Sequence, residues 1–244
     1  MTTITIQPVR GPIDESIRVP GSKSLTNRVL VLAALAAGRT RLLNASIAAD
    51  CLDMVEALRA VGFTIASDDG GTLSVDGCGG LIPDTACDVD AGPGGTTTRF
   101  LIALAAAGPG EWIIDAAPRM RERPVADLLD ALGQLGVHVE STNGHPPVRV
   151  KGGGLAGGRA VVSGNVSSQF LSALLLVAPL ARRPVELVVE GPLTSRPYVE
   201  MTVAAMAAFG VAVEHDGDAC FRIDPAIYQS PGTFTIEADA SAAS

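Results

Sequence analysis

In an acidic chain, six cations sit in or beside small, hydroxyl-rich turns: Lys23, Arg28, Arg99, Arg119, Arg121 and Arg123. The turns read Pro20-Gly21-Ser22-Lys23-Ser24, Gly92-Pro93-Gly94-Gly95-Thr96 and Ser163-Gly164-Asn165-Val166-Ser167, and each opens into an apolar helical run. Small residues let a ligand reach the backbone, and Ser and Thr hydroxyls donate hydrogen bonds. A helix N-terminus adds unpaired N–H groups and the positive end of its dipole. Lys and Arg beside such a turn suit a phosphate or a carboxylate. Taken singly, Ser24, Thr96 and Ser167 also fit ordinary N-caps. Three related turns, each adding a cation or an amide (Lys23, Arg99, Gln169), favour a shared site for small anions. The net charge of −8 over 244 residues argues against nucleic acid.

Other patterns exclude other chemistry. Gly92-Pro93-Gly94-Gly95 lacks the Gly-Lys-Ser/Thr ending of a nucleotide loop and the spacing of a dinucleotide fingerprint. His138, His145 and His215 have no metal-ligand spacing, so neither metal nor other cofactor is expected. Asp127, Asp130 and Glu200 read as solvated helix faces, and the glycines between 152 and 158 as a flexible connection. The cysteines at 51, 78, 87 and 220 form no CxxC pair and read as reduced thiols, which points to the cytoplasm. Residues 1–7 carry no export pattern, and the apolar runs near 29–37 and 101–107 are too short for a membrane span. Small-molecule anions are therefore the expected partners, with no nucleic acid and no membrane.

The elements that must position these turns repeat. Gly62, Gly136 and Gly210 each close an apolar helical run at intervals of 74 residues. The first copy has a strand at Glu15–Val19, a helix at Ser24–Ala37, a strand at Thr40–Asn44, a helix at Cys51–Val61 and a hairpin across Asp68-Asp69-Gly70-Gly71. Two further copies follow in the same βαβαββ order. The fold class is α/β: three pseudo-symmetric modules, helices packed centrally and sheets outward, with the first helices aiming their N-termini at one face. Thr235–Ser241 reads as the start of a fourth copy, so the chain is expected to be truncated there. Phe234–Ser244 would then be an apolar strand without a partner.

The motifs resemble those of the enolpyruvylshikimate-phosphate synthase family. The resemblance runs from about residue 7 to the C-terminus and rests on Pro20–Arg28, Pro118–Pro124, Ser167-Ser168-Gln169-Phe170 and Ser195-Arg196-Pro197-Tyr198. It implies transfer of enolpyruvyl from phosphoenolpyruvate to shikimate 3-phosphate, in the shikimate pathway of aromatic amino-acid biosynthesis. It implies that Lys23, Ser24, Arg28, Ser167, Ser168, Gln169, Ser195 and Tyr198 contact shikimate 3-phosphate. Lys23, Gly95, Arg119 and Gln169 would contact phosphoenolpyruvate, with Lys23 and Arg119 in catalytic roles. Pro93-Gly94-Gly95-Thr96 departs from the family's usual Asn-Ala-Gly-Thr, and Phe100 stands where many relatives have proline.

Relatives of that family carry six βαβαββ units in two domains with the site between them. By this reading residues 1–15 are a strand of an incomplete second domain, 16–230 the three-module substrate domain, and 231–244 the return into the second. The acid/base carboxylates belong to the other half. The isolated chain is then expected to be inactive, and the full-length protein a monomer. Two alternatives stand beside this: a non-catalytic shikimate-phosphate-binding fragment, and the sister transferase acting on a UDP-amino sugar. The sister enzyme carries a cysteine in the loop that here reads Ala116–Pro124, and none is present.

Overall fold

The first repeat folds as α1 (Lys23–Leu35), β1 (Ala37–Leu43), α2 (Ala49–Ala60), β2 (Thr64–Ser67) and β3 (Leu73–Cys78) in the computed structural model, which describes residues 8, 11, 19–68, 71–83 and 86–239. The second supplies β4 (Cys87–Asp90), α3 (Gly95–Ala107), β5 (Glu111–Asp115), the single-turn α4 (Pro118–Arg121), α5 (Ala126–Gln134), β6 (His138–Thr142) and β7 (His145–Lys151). The third supplies β8 (Gly158–Ser163), α6 (Ser168–Val177), a 3₁₀ turn at Ala178–Leu180, β9 (Val185–Glu190), α7 (Arg196–Ala208), β10 (Glu214–Asp216) and β11 (Cys220–Ile223). Lastly comes β12 (Thr233–Thr235).

Three four-stranded sheets result, ordered β12-β1-β3-β2, β4-β5-β7-β6 and β8-β9-β11-β10. In the second and third, the first strand pairs in parallel with the next and the rest of the sheet is antiparallel. In the first sheet β12 takes the place held by β4 and β8, pairing in parallel with β1 from Arg41 opposite Thr233 to Leu43 opposite Thr235. This corrects the expected unpaired edge. Thr235, the first residue of the stretch read as a fourth copy, is the last residue of β12. The strand expected at Glu15–Val19 has residues 15–18 outside the described residues, as are 240–244.

The helices explain the three-fold body. On α1, α3 and α6 nearly every residue beyond the first turn is buried. A helix apolar on all sides belongs at the centre, and these three touch one another there. Each second helix bridges two of them: α2 spans α1 and α3, α5 spans α3 and α6, and α7 spans α6 and α1. The glycines near 152–158 are ordered rather than flexible. Gly152 and Gly153 donate to the carbonyls of Gly110 and Gly108, and Leu155, two residues further on, is buried. A side chain at Gly152 would collide with the Gly108 carbonyl, so close approach is what glycine provides there.

β12 brings Ile236 into the core, where it is fully buried. Ile236→Ala is expected to cost about 2–4 kcal/mol, read as a lower urea midpoint at unchanged slope. A loss under about 1 kcal/mol would show that closing the first sheet adds little to stability.

Candidate anion-binding site

Helices α1, α3, α6 and α7 bring their N-terminal turns to one cavity of about 330 Å³, lined by Lys23, Ser24, Arg28, Thr96, Val166, Ser167, Ser168, Gln169, Thr194, Ser195 and Tyr198. Eight of the residues named from the sequence thus share one wall system. Ser167 is an N-cap, accepting from the Gln169 N–H at 3.2 Å. Ser24 and Thr96 are not caps: each is the second residue of its helix and lines the cavity. Among the described residues, the N-cap positions of α3 and α7, Gly94 and Ser195, make no side-chain capping bond, and N–H groups at such a helix start are natural donors to an anion. Ser195 holds a left-handed φ of 58°, a conformation uncommon for a non-glycine residue and one that fixes the entry to α7.

Arg28 forms the floor. It is 1% exposed, and its Nε donates to Thr202 Oγ1 at 2.7 Å, Nη1 to the Ser24 carbonyl at 2.8 Å and Nη2 to Ser172 Oγ at 3.1 Å. The guanidinium also stands 5.4 Å from the Phe100 ring centre and 5.8 Å from that of Tyr198. All these partners are neutral. Burial therefore presses the Arg28 pKa down to about 10. A desolvated cation without a carboxylate is set up to receive an anion.

A second positive region adjoins the first at Gly95. A side chain placed there would meet Arg123 Nη1 at 2.8 Å, Arg99 Nη1 at 3.0 Å and Gln169 Oε1 at 3.4 Å. Arg99 is 3% exposed, donates to Gln169 Oε1 and lies 4.9 Å from the Phe170 ring centre. Its pKa is held down to about 10, first by burial and then by the positive charge of Arg123. Two arginines kept this close, with no carboxylate between them among the described residues, repel until an anion arrives.

Arg119 is placed differently. It is exposed on α4 and does not line the cavity. The sequence showed three arginines in that loop without separating them; the one-turn helix after Ala117, anchored by the Ala117 N–H on the Gly92 carbonyl at 3.0 Å, sends Arg123 to Gly95. Arg99 and Arg123 were visible as turn cations but were not carried into the expected site. Thr194 gave no local signal.

Lys23 stands at the mouth with its side chain 51% exposed, Nζ 3.2 Å from Asp50 Oδ2. Its backbone N–H donates to Asp239 Oδ2 at 3.2 Å. Two chain segments meet here: the Ser22 N–H donates to the Glu237 carbonyl at 2.8 Å and the Asp239 N–H to the Pro20 carbonyl at 2.9 Å. Among the described residues no group of His, Cys, Asp and Glu could hold a metal ion, and no helix is long and apolar enough to cross a membrane.

The family model for EPSP synthase (3-phosphoshikimate 1-carboxyvinyltransferase) matches residues 8–244. The chain is 43% identical over 248 residues to a 3-phosphoshikimate 1-carboxyvinyltransferase of Marinomonas sp. (strain MWYL1), covering 100% of this chain and 58% of that protein. Against the chloroplastic protein of that name from Arabidopsis thaliana the identity is 45% over 254 residues, covering 99% and 49%. The chain thus spans about half the length of the curated relatives it matches. Among solved structures, an EPSP synthase from Acinetobacter baumannii superposes with a TM-score of 0.81 at 24% identity, over 93% of this chain and 50% of that one. An enolpyruvyl transferase from Streptomyces tendae gives 0.68 at 20%, over 93% and 52%. At those identities the structures establish the fold.

Proposed function

The chain belongs to the EPSP synthase family, and from that premise we propose that it supplies one half of a cleft that transfers enolpyruvyl from phosphoenolpyruvate to shikimate 3-phosphate. The observation that carries this reading is the convergence of four helix N-termini and the buried, carboxylate-free Arg28 on one cavity. Shikimate 3-phosphate takes that cavity, held by Lys23, Ser24, Arg28, Ser167, Ser168, Gln169, Ser195 and Tyr198. Phosphoenolpyruvate lies against Gly95, Gln169 and Lys23, with Arg123 as its facing cation and Arg119 adding positive charge from the exposed side of α4.

The chemistry asks for such a wall. Two multiply charged anions must lie side by side while a substrate hydroxyl bonds to the enol carbon and the bond from that carbon to phosphate breaks. Fixed cations and oriented N–H groups offset the repulsion without reorganising during the reaction. Proton transfers fall to residues outside this chain. Residues 1–15 and 231–244 lead to and from the second domain on this reading, leaving 16–230 as the substrate domain. The working protein is cytoplasmic and, at full length, a monomer.

Calorimetric titration of the 244-residue chain with shikimate 3-phosphate, paired with a phosphate-release assay on phosphoenolpyruvate, tests the proposal. Saturable binding with no phosphate release is expected. Absence of binding would sink the assignment of the cavity; turnover by this chain alone would sink the assignment of half a cleft.

A further inference from the structure

The lysine at the mouth of the cavity is the cation among its lining residues that has a carboxylate partner. Lys23 Nζ and Asp50 Oδ2 are 3.2 Å apart, while Arg28 bonds to neutral oxygens and Arg99 to an amide. Asp50 does not line the cavity, and neither does any other carboxylate among the described residues. It reaches Lys23 from behind, out of the first turn of α2, where the helix dipole favours a negative charge.

The backbone that carries this carboxylate is held, and its side chain is the less exposed of the pair. The Asp50 carbonyl accepts from Thr97 Oγ1 at 3.1 Å, and its Cβ lies 3.1 Å from where a side chain on Gly94 would begin. Asp50 is thus wedged between the starts of α1 and α3, joining the first and second modules. Its side chain is 21% exposed against 51% for Lys23. Its charge is felt nearby: the Asp53 pKa is raised by burial first and then by Asp50 and Asp90. A carboxylate on a held backbone thus pairs with a more exposed ammonium at the edge of an anion site.

We propose that Asp50 is a built-in counter-ion for Lys23, which an arriving phosphate-bearing ligand must displace, and that it thereby sets how tightly the site holds that ligand and how fast it lets go. The inference rests on the anion-site reading above. While the cavity is empty, Asp50 keeps the ammonium satisfied and at the mouth. When a dianion arrives, Nζ is drawn off Asp50 toward it, and the carboxylate is left as a near negative charge that lowers the net gain. When product forms, the same carboxylate recaptures Nζ and speeds departure. Asp50 is a positioning residue in this scheme: it acts through Lys23 and touches no reacting atom.

The test uses the 244-residue chain with shikimate 3-phosphate and, separately, inorganic phosphate as probes, followed by calorimetry and by stopped-flow dissociation. Asp50→Asn is expected to bind either probe about three- to tenfold more tightly and to release it more slowly, since one charge within several ångströms of the anion has been removed. Asp50→Glu, which keeps the charge, is expected to stay near the parent value. With Lys23→Met already in place, the gain from Asp50→Asn should fall by at least half on a logarithmic scale, which a purely structural role would not produce. Equal or weaker binding by Asp50→Asn overturns the proposal, as does an undiminished gain without Lys23. If the parent chain binds neither probe, the anion-site reading itself falls and takes this inference with it; parent binding with an insensitive Asp50→Asn removes this inference alone.

Discussion

Arg28→Met is expected to lower affinity for shikimate 3-phosphate by about a hundredfold or more, while leaving the thermal midpoint at or above that of the parent. The two effects have one origin. A cation buried among Thr202, Ser172, Phe100 and Tyr198 has lost its water without gaining a counter-ion, and its pKa of about 10 expresses that cost. The penalty is present in full below about pH 10 and fades only as pH rises past that value, because there the folded state sheds the proton that the unfolded chain still holds. Methionine has similar length and no charge, and replacing a buried ion by an apolar side chain is often neutral or stabilising. The hydroxyls left behind keep partners, since Thr202 Oγ1 donates to the Tyr198 carbonyl at 2.8 Å and lies 2.9 Å from Ser172 Oγ. Calorimetric titration and thermal melting of the same sample decide the matter. Loss of folding together with binding would show that Arg28 serves structure; retained binding would show that the phosphate goes elsewhere.

Gly95→Ala is expected to separate the two substrates. In a two-domain version of the protein, the KM for phosphoenolpyruvate should rise about ten- to hundredfold, the loss expected when a charge-assisted contact is withdrawn. The KM for shikimate 3-phosphate should change by less than about twofold, since the two atoms nearest the added methyl belong to Arg123 and Arg99, neither of them among its proposed contacts. The methyl would stand 2.8 Å from Arg123 Nη1 and 3.0 Å from Arg99 Nη1. Both are the ends of flexible side chains, so the fold tolerates the change, and alanine at the first turn of α3 is a better helix former than glycine. What moves is the pair of guanidinium groups. An unchanged phosphoenolpyruvate KM would place that substrate away from Gly95, and an equal loss for both substrates would point to a general collapse of the cavity.

Most of the repeat could be read from residue order. The helix expected at Ser24–Ala37 runs Lys23–Leu35, and the one expected at Cys51–Val61 runs Ala49–Ala60. Both sit between turn signals and carry one clear period. Three features were not legible, each for a physical reason. The helix at Pro118–Arg121 is a single turn, too short to show a period. The partner of β12 lies about 190 residues away in the chain, as the hydrogen bond from Asn44 Nδ2 to the Ile236 carbonyl illustrates, the two residues being 192 positions apart. A strand of three residues gives no local sign of such a mate. The glycines at 152–158 misled because glycine serves mobility and close packing equally well, and only the neighbouring carbonyls decide which. In the site, Lys23, Ser24, Arg28, Ser167, Ser168, Gln169, Ser195 and Tyr198 were legible from motif and turn type, and Thr194 was not. Arg123 and Asp50 did not, because which of several arginines turns inward, or whether a first-turn aspartate meets a lysine, depends on how the modules pack.

The pairing of β12 with β1 also sets an order of events during folding. The second and third modules draw every strand of their sheets from one continuous stretch, residues 87–151 and 158–223. Their pairings therefore close short loops and form early. The first module is nearest the start of the chain, yet its sheet waits for Thr233–Thr235. Closing so long a loop costs chain entropy that grows only slowly with length, but it lengthens the search. On a ribosome, β1 can pair with β3 once both have emerged, but its other edge is matched only after Thr233–Thr235 is made, as is the bridge between Gly21 and Ala238. The Lys23 backbone, which donates to Asp239, thus meets that partner only after all three modules have been made, although its lysine is among the first residues made.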